Sequence, residues 1–209
     1  MHRRATVFEQ IYSERVWVNG SGSGSAPENT EPYRSFLQEF LESKRIRTVF
    51  DLGCGDWQSS RLINWCGADY VGFDIVRDVV ESNRRLYGAE QVRFEYLADE
   101  ADLPAGDLLI VKDVLQHLPN PDIHRIANLI GRYAYVLVTN TVSAELRRND
   151  GSPVYTQSVN TDLAPGGMRP IDVLAEPFGW EGREVHRYKS FRGGLGAWET
   201  KSTVLLARD

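Results

Sequence analysis

The stretch Val49-Phe-Asp-Leu-Gly-Cys-Gly55 decides the fold that this sequence predicts. A short apolar run passes into two glycines separated by one residue, which indicates a buried strand followed by a tight turn. A second run of the same kind, Tyr70-Val-Gly-Phe-Asp74, follows after the length of a helix and also ends in an acid. Because the carboxyl ends of parallel strands share one edge of a sheet, Asp51 and Asp74 are expected to lie beside one ligand pocket.

The rest of the core alternates between strand and helix patterns, which favours an α/β fold. Continuous apolar runs such as Leu108-Leu-Ile-Val111 and Tyr135-Val-Leu-Val138 indicate strands buried on both faces, as in a parallel sheet covered by helices. Two late segments, 183–188 and 202–207, predict an antiparallel hairpin that closes the sheet. The other expected elements are strands at 47–52, 69–74, 91–96, 107–112 and 133–139, and helices at 5–15, 31–44, 58–65, 77–87 and 121–131.

Composition and charge indicate one globular domain. The chain has 209 residues, 42% hydrophobic and 25% charged, which suffices for one sizeable core but not for two full domains. The formal net charge of −5 argues against a nucleic-acid partner. Two cysteines make no disulfide framework, and no apolar run is long enough for a signal core or a membrane span. These features predict a cytoplasmic protein without a membrane partner, and they leave the oligomeric state open.

The single domain is expected to divide into four regions. The segment between the core and the closing hairpin is rich in Gly, Pro, Asn and Asp, and long irregular insertions of this kind are usually functional. The regions are N-terminal helices with a Gly/Ser segment at 1–45, a cofactor-binding core at 46–140, an acceptor-binding insertion at 141–182 and a closing hairpin at 183–209.

The Gly/Ser run Gly20–Ser25 leaves two interpretations open. It is either a flexible linker or a mobile flap that folds over a ligand. Trp17 before the run and Asn29-Thr30 after it are residue types that fold over ligands, which is the ground for the flap as an alternative to the linker.

The turn after the first strand favours a cationic ligand. A dinucleotide site would carry a third glycine where this sequence has Gln58. Asp51 would repel a pyrophosphate and attract an ammonium group, whereas Asp74 at the tip of the next strand is suited to accept both ribose hydroxyls. A ligand with a cationic amine and a ribose meets both demands, and S-adenosylmethionine is such a ligand.

The core resembles the class I S-adenosylmethionine-dependent methyltransferases over about residues 47–140. The resemblance lies in Asp51-Leu-Gly-Cys-Gly55, Phe73-Asp74, Ala98-Asp99 and Lys112-Asp-Val-Leu-Gln-His-Leu118. It implies a Rossmann-like, seven-stranded, mostly parallel sheet with helices on both faces and a C-terminal antiparallel strand.

The same resemblance implies a set of cofactor contacts. The methionine tail would lie at Asp51 and the two glycines, the ribose at Asp74 and the adenine amine at Asp99. The full expected cofactor site is Trp17, Asp51, Gly53, Cys54, Gly55, Asp74, Ile75 and Asp99.

The flanking segments resemble a narrower group, small bacterial sugar O-methyltransferases such as those of methylmannose polysaccharide synthesis. The matching segments are short and gapped, and they include Ile11-Tyr…Val16-Trp17, Asn160-Thr-Asp162, Gly166-Gly-Met-Arg-Pro170 and Lys189-Ser…Gly194-Leu-Gly-Ala-Trp198. This resemblance implies methyl transfer to a carbohydrate hydroxyl, of a mannoside or an oligosaccharide precursor of a methylated polysaccharide.

His117 is the candidate catalytic base. A hydroxyl acceptor must lose a proton as its oxygen attacks, and His117 follows the fourth expected strand, near the expected position of the methyl group. Asp113 lies four residues earlier and would orient the imidazole if this segment were a helical turn. The alternative is that His117 is only a packing or turn residue.

The insertion is expected to build the acceptor site. Its polar and aromatic candidates are Asn140, Tyr155, Asn160, Asp162 and Arg169. A divalent metal is left as an open alternative, because Asp113, Asp162 and Asp172 carry carboxylates that could approach one another, but no ligand spacing enforces a metal site.

Two other functions remain open from the sequence alone. One is a methyltransferase of another small molecule, such as a carboxylate or a secondary metabolite. The other is a non-catalytic domain that only binds S-adenosylmethionine. The leading interpretation is an O-methyltransferase with a small-molecule or oligosaccharide substrate, since the nitrogen-methylating motif Asn-Pro-Pro-Tyr is missing after the fourth expected strand.

Overall fold

A computed structural model describes residues 2–17, 20–143, 150–152, 158–192 and 197–207 of the chain. Its helices are α1 (His2–Ser13), α2 (Pro27–Lys44), α3 (Arg77–Tyr87) and α4 (Asn120–Ala127). Its strands are β1 (Thr48–Leu52), β2 (Asp69–Asp74), β3 (Val92–Tyr96), β4 (Gly106–Lys112), β5 (Tyr133–Thr141), β6 (Arg183–Arg192) and β7 (Ala197–Ala207). None of the helices in these ranges has the length and apolar character of a membrane span.

The seven strands form one sheet in the order β3-β2-β1-β4-β5-β7-β6. The first five strands are mutually parallel, and β7 runs antiparallel to both of its neighbours. The predicted Rossmann-like sheet with a closing antiparallel strand is therefore confirmed. The late strands are longer than predicted, because their pairing continues to Arg192 and Ala197.

The strand order places a ligand crevice between β1 and β4. From β1 the chain passes to β2 and β3 on one side of the sheet, and it then returns to β4 on the other side of β1. Asp51 of β1 pairs with Gly72 of β2 and with Ile110 of β4, so the carboxyl ends of the three strands lie side by side. Open α/β sheets bind ligands at such a reversal of strand order.

Helices cover both faces of the sheet, as predicted. Helix α2 buries Tyr33, Leu37 and Leu41 against the face that carries Val49, Tyr70 and Ile110. Helices α1 and α4 pack on the other face, where their apolar residues join a second cluster, among them Phe8, Ile11, Ile123, Ile126, Phe73 and Val111. Alternation along each strand supplies both clusters, so a strand such as β4 reads as a continuous apolar run.

The predicted helix at 58–65 is wrong. Only Ser60–Leu62 forms a 3-10 turn in this segment. The flanking residues Trp57 and Cys66 have positive φ angles of 57° and 56°, so the chain turns sharply at both ends of the segment. Burial of Trp57 and Trp65 against Tyr70 fixes the segment through tertiary contacts instead of a helical repeat.

The insertion contains no helix or strand in its described residues 142–143, 150–152 and 158–182. Its backbone groups bond to neighbouring loops, for example from Gly166 to the carbonyl of His117 and from Arg169 to the carbonyl of Gln116. The predicted irregular character is confirmed for these residues.

Candidate functional site

A cavity of about 170 Å³ lies over the carboxyl ends of β1, β2 and β4. Helix α1, the Gly/Ser segment and the loop after β4 form further walls of the cavity. Seven of the eight residues predicted for the cofactor site line it: Trp17, Asp51, Gly53, Cys54, Gly55, Asp74 and Ile75. The two predicted catalytic residues, Asp113 and His117, line it as well.

The glycine turn brings backbone close to the cavity. Gly53 and Gly55 have φ angles of 74° and 56°, in the left-handed region that glycine enters without strain. The N–H groups of Gly53 and Cys54 donate to the carbonyl of Phe73 at 2.8 and 3.0 Å, which closes the turn onto β2. A Cβ on Gly53 would lie 2.5 Å from Cγ2 of Val114, so no side chain fits there.

Asp74 is anchored at the tip of β2. Its two carboxylate oxygens accept from the backbone N–H of Gly55 at 3.0 Å and of Val76 at 2.9 Å. Burial raises the pKa of Asp74 above its ordinary value, and these backbone donors oppose that rise. Each oxygen keeps further lone pairs, so the group is held in position while still able to accept from a ligand.

Asp51 is a buried acid facing the cavity. Its Oδ2 accepts from the hydroxyl of Tyr70 at 2.7 Å. Burial raises the pKa of Asp51 to about 6, although the Tyr70 hydroxyl and the charge of Lys112 lower it. A buried carboxylate of this kind gains most from a cation that arrives with a ligand.

Asp99 does not line the cavity, in contrast to the expected adenine contact. Its Oδ1 accepts from the backbone N–H of Ala101 and so caps the short 3-10 turn Glu100–Asp102. The neighbouring Glu100 faces the cavity instead, is 6% exposed and pairs with Arg4 of α1. The other oxygen of Glu100 has no hydrogen-bond partner among the described residues. The carboxylate that lines the cavity at this wall therefore belongs to Glu100 and not to Asp99.

The Gly/Ser segment lies over the glycine turn. The N–H of Ser21 donates to Asp56 at 3.1 Å, and the Ser21 hydroxyl accepts from the N–H of Asp56 at 2.8 Å. The same hydroxyl lies 2.7 Å from the hydroxyl of Tyr12 in α1. The segment therefore covers the pocket and does not extend away from it as a linker.

His117 is held in one tautomer. Its Nδ1 lies 2.7 Å from the carbonyl oxygen of Gly167, which can only accept, so Nδ1 carries the proton. Gln116 supports the same assignment: its Oε1 accepts from the N–H of Thr141 at 3.1 Å, which turns its amide nitrogen toward Nε2 of His117 at 3.4 Å. The lone pair of the neutral ring is then on Nε2. Trp17 packs against the ring with 4.7 Å between centroids.

The prediction that Asp113 orients His117 is wrong. Asp113 has a φ angle of 59°, so the segment is no α-helical turn, and only Leu115–His117 forms a 3-10 turn. The carboxylate accepts from Lys112 at 2.6 Å and from Lys201 at 2.5 Å. Burial alone would raise the pKa of Asp113, but the two ammonium groups hold it below its usual range. The carbonyl of Gly167 orients the imidazole in place of Asp113.

The four described residues among those predicted for the acceptor lie away from this cavity. Asn160 donates to the carbonyls of Asp172 and Glu176, both at 2.8 Å, and Asp162 accepts from the N–H of Asn120 at 2.7 Å. Asn140 lines a separate small cavity beside Ile171. Asn160 and Asp162 satisfy backbone groups because the described part of the insertion lacks a regular hydrogen-bond ladder. Tyr155 lies outside the described residues.

Arg169 is fully buried and supports the loop that carries His117. Its guanidinium donates to the carbonyls of Leu115 and Gln116 at 3.4 and 3.3 Å, and to Oδ1 of Asn120 at 2.7 Å. Burial lowers the pKa of Arg169 to about 10, so the group stays charged at neutral pH. Its position is structural and does not face the cavity.

The carboxylates considered for a metal have separate partners. Asp113 lies between two lysines, Asp162 caps α4, and Asp172 accepts from the N–H of Leu174 at 3.0 Å. The described part of the chain contains no cluster of three metal-ligating side chains.

A buried group of charged residues lies beside Asp51 and was not predicted from the sequence. Lys112, Lys201 and Glu199 line the cavity, and Lys201 and Glu199 are each 1% exposed. Lys201 donates to Glu199 at 3.0 Å as well as to Asp113. The sequence of β7 contained a sign of this group. In Glu199-Thr-Lys201-Ser-Thr203 the two charged residues alternate with polar ones, so both side chains lie on the same face of the strand, where pairing within the sheet would bury them.

Comparisons with known proteins agree with this architecture. No family model matches the sequence. The ubiquinone biosynthesis O-methyltransferase of Hydrogenovibrio crunogenus (strain DSM 25203 / XCL-2) is 24% identical over 183 residues, which cover 81% of this chain and 72% of that protein.

Two solved structures illustrate the structural likeness. The N-terminal domain of EvdMO1, crystallised with S-adenosylhomocysteine and D-fucose, has a TM-score of 0.57 and 16% identity, covering 100% of this chain and 98% of that one. The 1,6-didemethyltoxoflavin-N1-methyltransferase of Burkholderia thailandensis, crystallised with its substrate and S-adenosylhomocysteine, has a TM-score of 0.61 and 17% identity, covering 98% and 87%. The chain thus has the Rossmann-like fold of S-adenosylmethionine-dependent methyltransferases.

Proposed function

We propose that this protein is an S-adenosylmethionine-dependent O-methyltransferase whose acceptor is a carbohydrate hydroxyl. The cofactor site fits this ligand in three respects: a glycine turn that admits close approach, an anchored carboxylate at Asp74 for the ribose, and a buried acid at Asp51 for the ammonium group. Structural neighbours crystallised with S-adenosylhomocysteine support the same cofactor.

The observation that carries the reaction type is the fixed tautomer of His117. When bound, the cofactor supplies an electrophilic methyl group on a sulfonium. With Nδ1–H donated to Gly167, His117 has a basic Nε2 at the cavity wall, and an acceptor hydroxyl that replaces the Gln116 amide as the partner of Nε2 can pass its proton to it. As the imidazole becomes cationic, the Gly167 carbonyl stabilises it through the same hydrogen bond.

The cavity wall also orders the reacting groups. Trp17 packs on the face of the His117 ring and Gln116 lies beside it, so the imidazole has little freedom to rotate. The Gly/Ser segment covers the glycine turn and limits the access of water. Alignment and exclusion of water are the main requirements of a direct displacement at a methyl group.

A carbohydrate acceptor is supported by the flanking segments quoted above and by the structural neighbour that was crystallised with D-fucose. The curated relative supports transfer to oxygen, whereas the toxoflavin neighbour transfers to nitrogen. A mannoside or a related oligosaccharide is the sharper form of the proposal, and a carboxylate or another small molecule is the alternative. The four-region division of one domain, 1–209, belongs to the same proposal.

Calorimetric titration with S-adenosylhomocysteine tests the cofactor, and methyl transfer to a panel of mannosides and other sugars tests the acceptor. The native chain should bind, and Asp74→Ala should lose on the order of tenfold or more in affinity with the lost ribose contact. No binding by the native chain would contradict the proposal.

The acceptor class is tested with His117→Ala and a matched control, His124→Ala, whose ring packs on Phe178 away from the cavity. If the acceptor is a hydroxyl, His117→Ala should lower turnover about 10²–10⁴-fold with cofactor affinity retained. A carboxylate acceptor needs no base, so unchanged turnover in His117→Ala would exclude the hydroxyl. The His124→Ala variant should behave like the native chain.

A further inference from the structure

Lys112 and Asp51 project from neighbouring strands toward the same side of the sheet. Asp51 of β1 pairs with Ile110 of β4, and Lys112 lies two residues further along β4. Since side chains alternate along a strand, Ile110 and Lys112 share one face, the face against which Tyr33 of α2 packs. The ammonium of Lys112 lies 5.6 Å from the centroid of the Tyr33 ring, and both residues line the cavity.

The cavity is rich in carboxylates. Among its described lining residues, three are cationic (Arg4, Lys112 and Lys201) and six are acidic (Asp51, Asp56, Asp74, Glu100, Asp113 and Glu199). Such a wall attracts a sulfonium and an ammonium group. It repels the carboxylate of the same amino-acid tail unless one cation lies in direct contact with it.

Two of the three cations have their hydrogen bonds committed elsewhere. Arg4 pairs with Glu100 and Asp122, at the end of the cavity formed by α1. Lys201 is 1% exposed and lies between Asp113 and Glu199.

Lys112 is the cation that remains for a ligand. Its side chain is 15% exposed, and the hydrogen bond to Asp113 uses one of its three N–H donors. Asp113 is itself held by Lys201, so the ammonium of Lys112 is positioned before a ligand arrives. A positioned charge loses little freedom on binding and is correspondingly effective.

We propose that Lys112 binds the carboxylate of the cofactor's amino-acid tail, opposite Asp51, which binds its ammonium group. The inference rests on the cofactor proposed above, and it makes Asp113 and Lys201 positioning residues for Lys112. The pair Asp51–Lys112 is then complementary to a zwitterionic α-amino acid and selects S-adenosylmethionine over nucleosides that lack one of the two charges.

Calorimetric titration with three ligands measures the contributions of the carboxylate and the ammonium group to affinity separately. S-Adenosylhomocysteine carries both, its decarboxylated form S-adenosyl-3-thiopropylamine carries only the ammonium, and 5′-methylthioadenosine carries neither. At pH 8, well above the pKa of Asp51, Lys112→Met should weaken S-adenosylhomocysteine about 10- to 100-fold and leave the other two within about threefold. Asp51→Asn should weaken the first two ligands and spare 5′-methylthioadenosine.

Two further variants protect the test against a general loss of structure. Lys112→Arg keeps the cation and should retain the preference for S-adenosylhomocysteine over its decarboxylated form. Lys189→Met removes an exposed lysine of β6 and should change nothing.

The possible failures are distinct. Equal weakening of all three ligands by Lys112→Met, or no weakening of any, would overturn the assignment of Lys112 and leave the cofactor proposal standing. Failure of the native chain to bind S-adenosylhomocysteine would overturn both.

Discussion

The ionised carboxylate of Asp51 is buried, and its charge costs the folded chain stability. Burial raises the pKa of its carboxyl to about 6 from an ordinary value of 3.8. The protonated form therefore stabilises the fold, and this contribution is complete below pH 3.8 and lost as the pH rises through 6. Binding of a cationic tail has the opposite requirement, since it needs the ionised form.

Asp51→Asn should separate these two requirements. The amide can still accept from Tyr70, so the variant should be more stable than the native chain by on the order of 1–3 kcal/mol at pH 8, with the difference vanishing near pH 4. Urea unfolding at several pH values measures this difference. A variant less stable than the native chain at pH 8 would contradict the burial argument.

The affinity of the native chain for S-adenosylhomocysteine should rise with pH through about 6, because deprotonation of Asp51 creates the partner of the ammonium group. Titrations at pH 5 and pH 8 measure this dependence, and Asp51→Asn should show no such rise in the same range. A rise that persisted in the variant would have to come from another group.

Gly53 differs from an ordinary positive-φ glycine because the side chain of Val114 occupies the space beside it. Gly53→Ala combines a left-handed φ of 74° with a Cβ only 2.5 Å from Val114. Gly67→Ala is the matched control, with a φ of 77° and nothing within 4 Å of the added Cβ. Both should lose about 1–2 kcal/mol from the backbone, and Gly53→Ala should lose further stability and ligand affinity. Equal losses in thermal unfolding would show that close approach is unimportant.

At the scale of elements, the described part of the insertion supports the loop after β4 that carries His117, and its residues do not line the cavity. Segment 166–169 contacts the loop after β4 through three backbone or ring hydrogen bonds, from Gly166, Gly167 and Arg169. Arg169 adds its guanidinium to the carbonyls of that loop. The insertion thereby determines how the imidazole of His117 is oriented.

Arg169→Met should therefore act on turnover more than on cofactor affinity. Loss of a buried cation that satisfies two carbonyls should lower stability by on the order of 2–4 kcal/mol, and a loosened His117 should lower kcat. The exposed Arg187, which pairs with Glu184 at the surface, gives the control Arg187→Met, expected within about 0.5 kcal/mol of the native chain. A selective loss of S-adenosylhomocysteine affinity in Arg169→Met would place this arginine in the cofactor site instead.

The elements that the sequence predicted well are those whose signal is local. The strand ends at Asp51 and Asp74 and the glycine turn follow from short patterns that the backbone itself requires. The prediction of a helix at 58–65 was wrong because aromatic residues of this segment are held by partners outside it, such as Tyr70. The predicted partner of Asp113 was wrong for the same reason, because its actual partner Lys201 lies in β7, 88 positions further along the chain.

At the scale of the whole molecule, the first helix forms one side of the cavity. Helix α1 supplies Phe8 and Tyr12 to the cavity wall, and Arg4 ties the helix to Glu100 and to Asp122 of α4. Arg4 is 8% exposed, so this tie is a buried ion network and not a surface pair. Removing one member of a buried network leaves uncompensated charge behind.

Arg4→Met should consequently destabilise the fold and weaken the ligand together. We expect a loss of about 3–5 kcal/mol of stability, because Glu100 stays buried without its ion pair, whereas Asp122 keeps its pair with Arg125. Affinity for S-adenosylhomocysteine should fall as α1 detaches from the cavity, and the rise in Tm that a saturating ligand produces should shrink accordingly. Thermal unfolding with and without the ligand measures both quantities, with the exposed Arg85→Met as control. If Arg4→Met lost stability but kept the full ligand-induced rise in Tm, α1 would be a structural support whose closure over the cavity is independent of binding.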